Sequence, residues 1–223
     1  MIRLEKLTQR FGDRTLLGEV DLHITAGAFH FLTGPSGAGK TTLLKLCYGE
    51  LMPSAGRVTL FGDSLAGMSR DQLAITRRRI GVIHQDCRFL DHLSIAENVA
   101  LPFTAAGRPV PENDLHELLV WVGLEEQAGD LPATLSGGER QRAALARAVI
   151  AAPEVVLADE PTGNVDWEMS LRIMSLLVEL NRMGTAVMIA THDLNLIRNA
   201  KAQVSARVLR IKERQLQAAG ADL

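Results

Sequence analysis

What the chain lacks narrows its function first. Across 223 residues, 24 lysines and arginines nearly balance 26 aspartates and glutamates, so there is no broad basic field to hold nucleic acid or an anionic lipid surface. No apolar run approaches the ~18 residues that suggest a membrane span. The opening Met1-Ile2-Arg3-Leu4-Glu5-Lys6 has neither the basic stretch nor the apolar stretch of a secretory leader, so a cytoplasmic chain is expected. Cysteine is scarce. Cys47 and Cys87 lie far apart, each beside apolar residues, which fits reduced packing thiols better than a metal or redox site. Internal repeats and low-complexity stretches are also missing. The composition that remains, 47% hydrophobic and 22% charged, supports a large buried core and excludes global disorder.

Short apolar runs alternate with helical spacing, the pattern of an α/β fold with a mainly parallel sheet. Buried strands are expected at Phe29 to Thr33, Ile80 to Ile83, Val155 to Ala158 and Thr185 to Ala190, because continuous apolar runs of this length suit strands covered on both faces. Ile2 to Leu7, Val20 to Ile24 and Arg57 to Phe61 read instead as a small antiparallel element. Between about Asp86 and Ala152 the strand signal disappears. There, Ile95 to Ala106, Glu112 to Val122 and Gly137 to Ile150 carry helical spacing, broken by Pro102, Pro109, Pro111 and Pro132. This is a helical insertion between core strands. Arg77-Arg78-Arg79 reads as a solvated helix end ahead of the Ile80 strand.

Three segments carry chemistry. Gly34-Pro35-Ser36-Gly37-Ala38-Gly39-Lys40-Thr41, followed by Thr42, fits the phosphate-loop pattern between a strand and a helix. Its glycines let successive N–H groups turn toward phosphate oxygens, and the following helix adds its positive end. Lys40 would meet the β- and γ-phosphates and Thr41 would offer a hydroxyl to Mg²⁺; the plain alternative is a glycine-rich turn with no ligand. The second segment is Asp159-Glu160, which leaves the sheet where ligands of open α/β folds sit. Asp159 suits the outer shell of Mg²⁺, and Glu160 suits a base acting on water in line with the γ-phosphate. Standing alone, the pair would read equally as a solvated strand end. The third is Leu135-Ser136-Gly137-Gly138-Glu139-Arg140-Gln141, which opens a helix running through Ala151. Ser136 and Glu139 form a capping-box pair. That explanation leaves Gly137-Gly138 unaccounted for, since glycine costs helix stability. A second phosphate-facing helix start in a chain that already has one points to a nucleotide held between two copies.

In chain order, Gly34 to Thr42, then Leu135 to Gln141, then Asp159-Glu160 continuing through Val165-Asp166, these segments resemble the motif set of the ABC ATPases over nearly the whole chain. The resemblance implies a P-loop NTPase fold: a RecA-like core sheet with an antiparallel β subdomain and an inserted helical subdomain. Residues 1–87 and 153–223 would form the nucleotide-binding core, and 88–152 the helical subdomain with the signature motif. The ligands implied are ATP and Mg²⁺. The assembly implied is a head-to-tail homodimer in which Ser136, Gly137 and Gly138 face the nucleotide of the other copy, Ser136 and Gly138 contacting its γ-phosphate. Gln85 would reach the metal and the attacking water and link to a membrane partner, His192 would contact the γ-phosphate, and Asp166 would sit in a loop at the dimer contact. Phe11 would stack on adenine.

Finer features, among them Phe31-Leu32-Thr33-Gly34, Asn98-Val99-Ala100-Leu101-Pro102 and Asp193-Leu194-Asn195-Leu196-Ile197, resemble the cell-division branch of that family. This implies an FtsX-type integral membrane partner at the inner face of the cell membrane and no nucleic-acid ligand. Lipoprotein release or small-molecule export is the alternative. A small-molecule kinase would have no use for the Ser136 segment or His192. Two departures stand out: Val165 where Leu is usual, and Lys212-Glu213-Arg214 where a Ser/Asp-Gly turn is common, in a stretch from Ala202 to Leu223 that follows the family poorly.

Overall fold

The computed structural model describes residues 1–219; the last four positions of the Ala202 to Leu223 stretch lie outside the described residues. The chain opens with β1 (Ile2–Phe11), β2 (Arg14–Ile24) and β3 (Phe29–Thr33), then α1 (Lys40–Cys47), β4 (Ala55–Leu60) and β5 (Asp63–Ser64). Next come α2 (Arg70–Arg77), β6 (Ile80–Ile83), α3 (Ile95–Thr104), α4 (Glu112–Trp121) and α5 (Gly137–Val149). The chain ends with β7 (Val155–Asp159), α6 (Trp167–Arg182), β8 (Ala186–Ala190), α7 (Leu194–Lys201), β9 (Ala206–Lys212) and β10 (Gln215–Ala218).

Two sheets follow from two burial patterns. All five residues of β3, β7 and β8 are buried, and these strands form the middle of a six-stranded sheet ordered β10-β9-β3-β8-β7-β6. Its neighbours are parallel except for the antiparallel β9–β10 hairpin. By contrast, β1 mixes buried and solvent-facing positions, as suits an antiparallel sheet with one wet face. It pairs with β2 and β4 in a four-stranded sheet ordered β2-β1-β4-β5. One apolar cluster joins the two sheets through Leu4, Leu17, Leu43, Leu46 and Leu157. A second fills the opposite face of the parallel sheet with Leu145, Ile173, Leu177 and Ile197. A third, built on Ile95, Val99, Leu119, Leu124 and Ala143, belongs to the helical stretch α3–α5.

Several local expectations need correcting. Pro102 does not break its helix; it lies inside α3. It falls in the last turn, where its missing N–H deprives the Asn98 carbonyl of its helical partner, and burial of Val99 and Phe103 holds the helix in place. The arginine triplet is not simply solvated. Arg77 donates to the backbone carbonyls of Tyr48 (3.0 Å) and Gly49 (2.6 Å), and Arg79 pairs with Glu154 (3.0 Å) and stacks 3.7 Å over Phe61. The strands β1 and β2 run longer than the apolar runs suggest, because their outer ends are held by cross-strand pairs such as Phe11 with Arg14. At the other end of the chain, Glu213 and Arg214 both take positive φ (51° and 69°) and close the β9–β10 hairpin without glycine. The Arg214 carbonyl is anchored by the Gly18 N–H at 2.8 Å, which helps hold a turn that glycine and asparagine favour.

Candidate functional site

The carboxyl ends of β3, β6, β7 and β8 open into one cavity of about 720 Å³. The segment after β3 supplies Gly34 to Gly37, Gly39 and, from the first turn of α1, Lys40, Thr41 and Thr42. Gln85 follows β6, Asp159 and Glu160 come from the end of β7, and His192 follows β8. The four signals read separately along the sequence thus converge, because parallel strands present all their carboxyl ends on one edge.

The loop after β3 is built for close backbone approach. Gly34 has φ 149°, and a Cβ there would lie 3.0 Å from the Ile211 carbonyl oxygen. Gly39 caps α1 at φ 105°, with no side chain bonded to the helix start. The first N–H groups of α1 are therefore left for a ligand. Lys40 Nζ folds back on the carbonyl oxygens of Gly34 (2.9 Å) and Pro35 (3.4 Å). Among the described residues these are its hydrogen bonds, and no carboxylate pairs with it within 4.0 Å, so its charge fits a site for an anion such as the phosphates of ATP.

Asp159 is buried at the strand end beside the Thr41 hydroxyl. Burial pushes its carboxyl above the ordinary range, while that hydroxyl pulls the other way. A buried carboxylate beside a hydroxyl suits a divalent cation. The described residues contain no cluster of three or more His, Cys, Asp or Glu able to cage a metal.

Glu160 has φ 47°, a left-handed conformation uncommon for a residue with a Cβ. Its N–H donates to the Ala190 carbonyl (2.9 Å), and its own carbonyl accepts from the Gly163 N–H (3.1 Å). These bonds hold a strained turn that aims the carboxylate into the cavity; Glu160 Oε1 lies 3.0 Å from His192 Nδ1. The imidazole is mostly exposed and the carboxylate is only 14% exposed. A carboxylate fixed in this way can orient and deprotonate a water, and the exposed histidine is free to turn toward a ligand.

Ser136, Gly137, Gly138 and Asp166 do not line the cavity. Ser136 caps α5 in a full capping box, and its hydroxyl lies 2.6 Å from Glu139 Oε2. A Cβ on Gly137 would lie 3.7 Å from Asn164 Cβ, and one on Gly138 would lie 3.5 Å from the Asn164 carbonyl oxygen. Asp166 caps α6, accepting from the Met169 N–H (2.8 Å). Phe11 also lies outside the cavity lining; the residue is 52% exposed at the tip of the β1–β2 hairpin. Three lining residues escaped sequence reasoning, namely Leu16, Gly163 and Asn164. The last two lie within four residues of Glu160, which was their available signal. Leu16 had none, since β2 reads as an ordinary strand.

Comparison with known proteins agrees with this geometry. A family model described as ABC transporter matches residues 17–163. The cell division ATP-binding protein FtsE of Haemophilus influenzae is 42% identical over 201 residues, 88% of this chain and 92% of the relative. The lipoprotein-releasing system ATP-binding protein LolD of Idiomarina loihiensis is 44% identical over 198 residues, 86% of this chain and 87% of the relative. Among solved structures, the ATP-binding cassette MJ0796, a dimer in a post-hydrolysis state with ADP and Pi, superposes with a TM-score of 0.89 at 32% identity, covering 98% of both chains. With a matching family model over most of its length and full-length likeness in both sequence and fold, this chain belongs to the ABC transporter family, as one of its ATPase subunits.

Proposed function

We propose that two copies of this chain hydrolyse Mg²⁺-ATP at shared sites and pass the resulting movement to an FtsX-type integral membrane protein in bacterial cell division, from the cytoplasmic face of the membrane. The observation that carries the shared site is the position of Asn164. It lines the nucleotide cavity and adjoins Gly137 at the start of α5, where an added Cβ would lie 3.7 Å from the Asn164 Cβ. The cavity and the glycine-marked helix start thus flank one continuous surface, and neither completes the other within one chain. Head-to-tail pairing places each helix start over the other copy's cavity.

Within each site, Lys40 leaves its two carbonyls for the β- and γ-phosphates. Thr41, Asp159 and Gln85 surround the place of Mg²⁺, which when bound would neutralise charge on the phosphate oxygens. Glu160 takes the proton of the attacking water, and Gln85 orients that water. His192 turns from Glu160 toward the γ-phosphate. Ser136 releases Glu139 to face the γ-phosphate of the other copy beside Gly137 and Gly138, while Asp166 lies at the dimer contact. Phe11 offers its exposed ring face to adenine. Residues 1–87 and 153–223 act as the core, and 88–152 as the lever. Since a charge-assisted hydrogen bond contributes ~1.5–3 kcal/mol, Lys40→Ala should weaken ATP binding roughly ten- to a hundredfold. A fluorescent-nucleotide titration measures this; unchanged affinity would remove Lys40 from the site.

No helix among the described residues is long and apolar enough to cross a membrane, so a membrane role needs a partner. A cleft of about 760 Å³ between the core and the helical stretch suits one. Ile75, Leu101, Pro102 and Ala105 give it apolar walls, and Arg78 and Arg108 add charge. The relative named FtsE supports the division reading, and the one named LolD keeps lipoprotein release as the second. Depletion in the native cell separates them. Filaments with blocked septa are expected, together with an FtsX-type protein co-purifying; normal septa with mislocalised lipoproteins would replace this reading with the second.

A further inference from the structure

Arg147 sits near the end of α5, well away from the start of that helix, yet it holds the segment that carries Gln85. Its guanidinium donates to the carbonyl oxygens of Cys87 (2.6 Å) and Arg88 (2.7 Å) and lies 4.8 Å over the Phe89 ring. Among the described residues no carboxylate pairs with it within 4.0 Å, and burial pulls its pKa below the usual arginine value. A desolvated cation spent wholly on two backbone carbonyls and a ring calls for a reason.

The reason lies in the backbone that it grips. Cys87 and Arg88 both take left-handed φ, 58° and 38°. Consecutive non-glycine residues in that region cost about 1–2 kcal/mol each, so the turn relaxes unless something captures its carbonyls. The Arg147 fork captures both. Gln141, one helical face away on α5 and 1% exposed, adds weaker ties: its Oε1 lies 3.4 Å from Cys87 Sγ, and its Nε2 lies 3.5 Å from the Glu160 carbonyl oxygen. The strained turn begins two residues after Gln85, which lines the nucleotide cavity. Arg147 also lines the cleft between the core and the helical stretch.

We propose that Arg147 is the positioning residue for Gln85: by holding the carbonyls of Cys87 and Arg88 it fixes the strained turn that sends the Gln85 side chain into the ATP cavity. This rests on the reading of Gln85 as a residue of the hydrolytic site. A lysine at 147 keeps the charge but cannot span two carbonyls as a planar fork does, so Arg147→Lys isolates the geometry.

The test is ATP turnover and nucleotide affinity for Arg147→Lys, Gln85→Ala and the double variant, each on the full chain with any membrane partner that co-purifies. Misplacing a positioned group by about 1 Å costs up to roughly a hundredfold. Arg147→Lys should therefore lower kcat about tenfold while KM for ATP stays within about twofold. Gln85→Ala should cost at least as much. The double variant should be no slower than Gln85→Ala alone, because a clamp has nothing left to position. A merely structural arginine would multiply the two losses, and that result overturns the proposal, as does wild-type kcat in Arg147→Lys. Wild-type turnover in Gln85→Ala would instead remove the role of Gln85 itself, and the clamp with it. Thermal unfolding checks that the lysine variant is folded; should it not be, Arg147→Gln carries the same comparison.

Discussion

Glu160→Gln should cut steady-state ATP turnover by about 10²–10³-fold, within the range that a positioned general base contributes, while leaving ATP binding intact. The substitution preserves shape. The amide can still meet His192 Nδ1, 3.0 Å away, and the backbone at φ 47° keeps its bonds to Ala190 and Gly163. What it loses is the ability to take a proton from water. With binding preserved and hydrolysis stalled, the ATP-bound pair should accumulate, so light scattering with ATP should give twice the monomer mass for the variant. Trp167 supplies a second readout. It is 50% exposed at the start of α6, immediately after Asp166, and close in sequence to Asn164, which joins the cavity to the Gly137 helix start. Pairing through that surface should bury its indole and shift its emission to the blue, measured in a Trp121→Phe background because Trp121 is also half-exposed. Unreduced phosphate release in the variant would remove Glu160 as the base. Stalled hydrolysis without a mass change would keep the base and remove the shared site.

How much of this was legible in the sequence depended on whether chemistry or packing chose the residue. Gly34 to Thr41, Asp159 and Glu160 could be read from residue type because phosphate, metal and water each call for particular side chains at strand ends, whereas Gln85 and His192 were legible only through the family resemblance. Parallel strands then bring all four groups to one cavity. The capping box at Ser136 was visible because its two members are three residues apart. Packing decisions were not visible. That Arg79 reaches Glu154, or that Arg147 reaches the carbonyls of Cys87 and Arg88, depends on contacts 75, 60 and 59 residues apart in sequence. No window of local periodicity contains both partners. Pro102 misled for the opposite reason. Its local cost is real, but tertiary burial of Val99 and Phe103 outweighs it. Likewise, nothing in the residue type at 160 announces a left-handed glutamate; only the fold imposes one.

The same division predicts a large loss of stability at a glycine that turn chemistry does not explain. Gly81, in the middle of β6, has no positive φ to require glycine, so its identity has to come from space. A Cβ there would fall 2.1 Å from the Ala148 carbonyl oxygen and 3.0 Å from Pro153 Cγ. The first of these contacts is with backbone in the last turn of α5, which cannot swing aside as a side chain can. Gly81→Ala must therefore push α5 away from the sheet or distort β6, against an interior packed like a crystal. Overpacking of this kind costs about 1–3 kcal/mol, and a clash with helix backbone belongs at the upper end. Urea unfolding should show a midpoint lowered by the equivalent of ~3 kcal/mol at unchanged slope. Gly67→Ala, where a new Cβ would meet nothing within 4 Å, should stay within about 0.5 kcal/mol of the parent. The residue before Ala148 is Arg147, so a displaced α5 also carries the guanidinium off the Cys87 and Arg88 carbonyls. The folded fraction of Gly81→Ala should then hydrolyse ATP more slowly per active site, with little change in KM. A variant that loses stability but keeps full turnover per folded molecule would show that β6 yields instead of α5, and that the strand, not the helix, is the softer element beside the site.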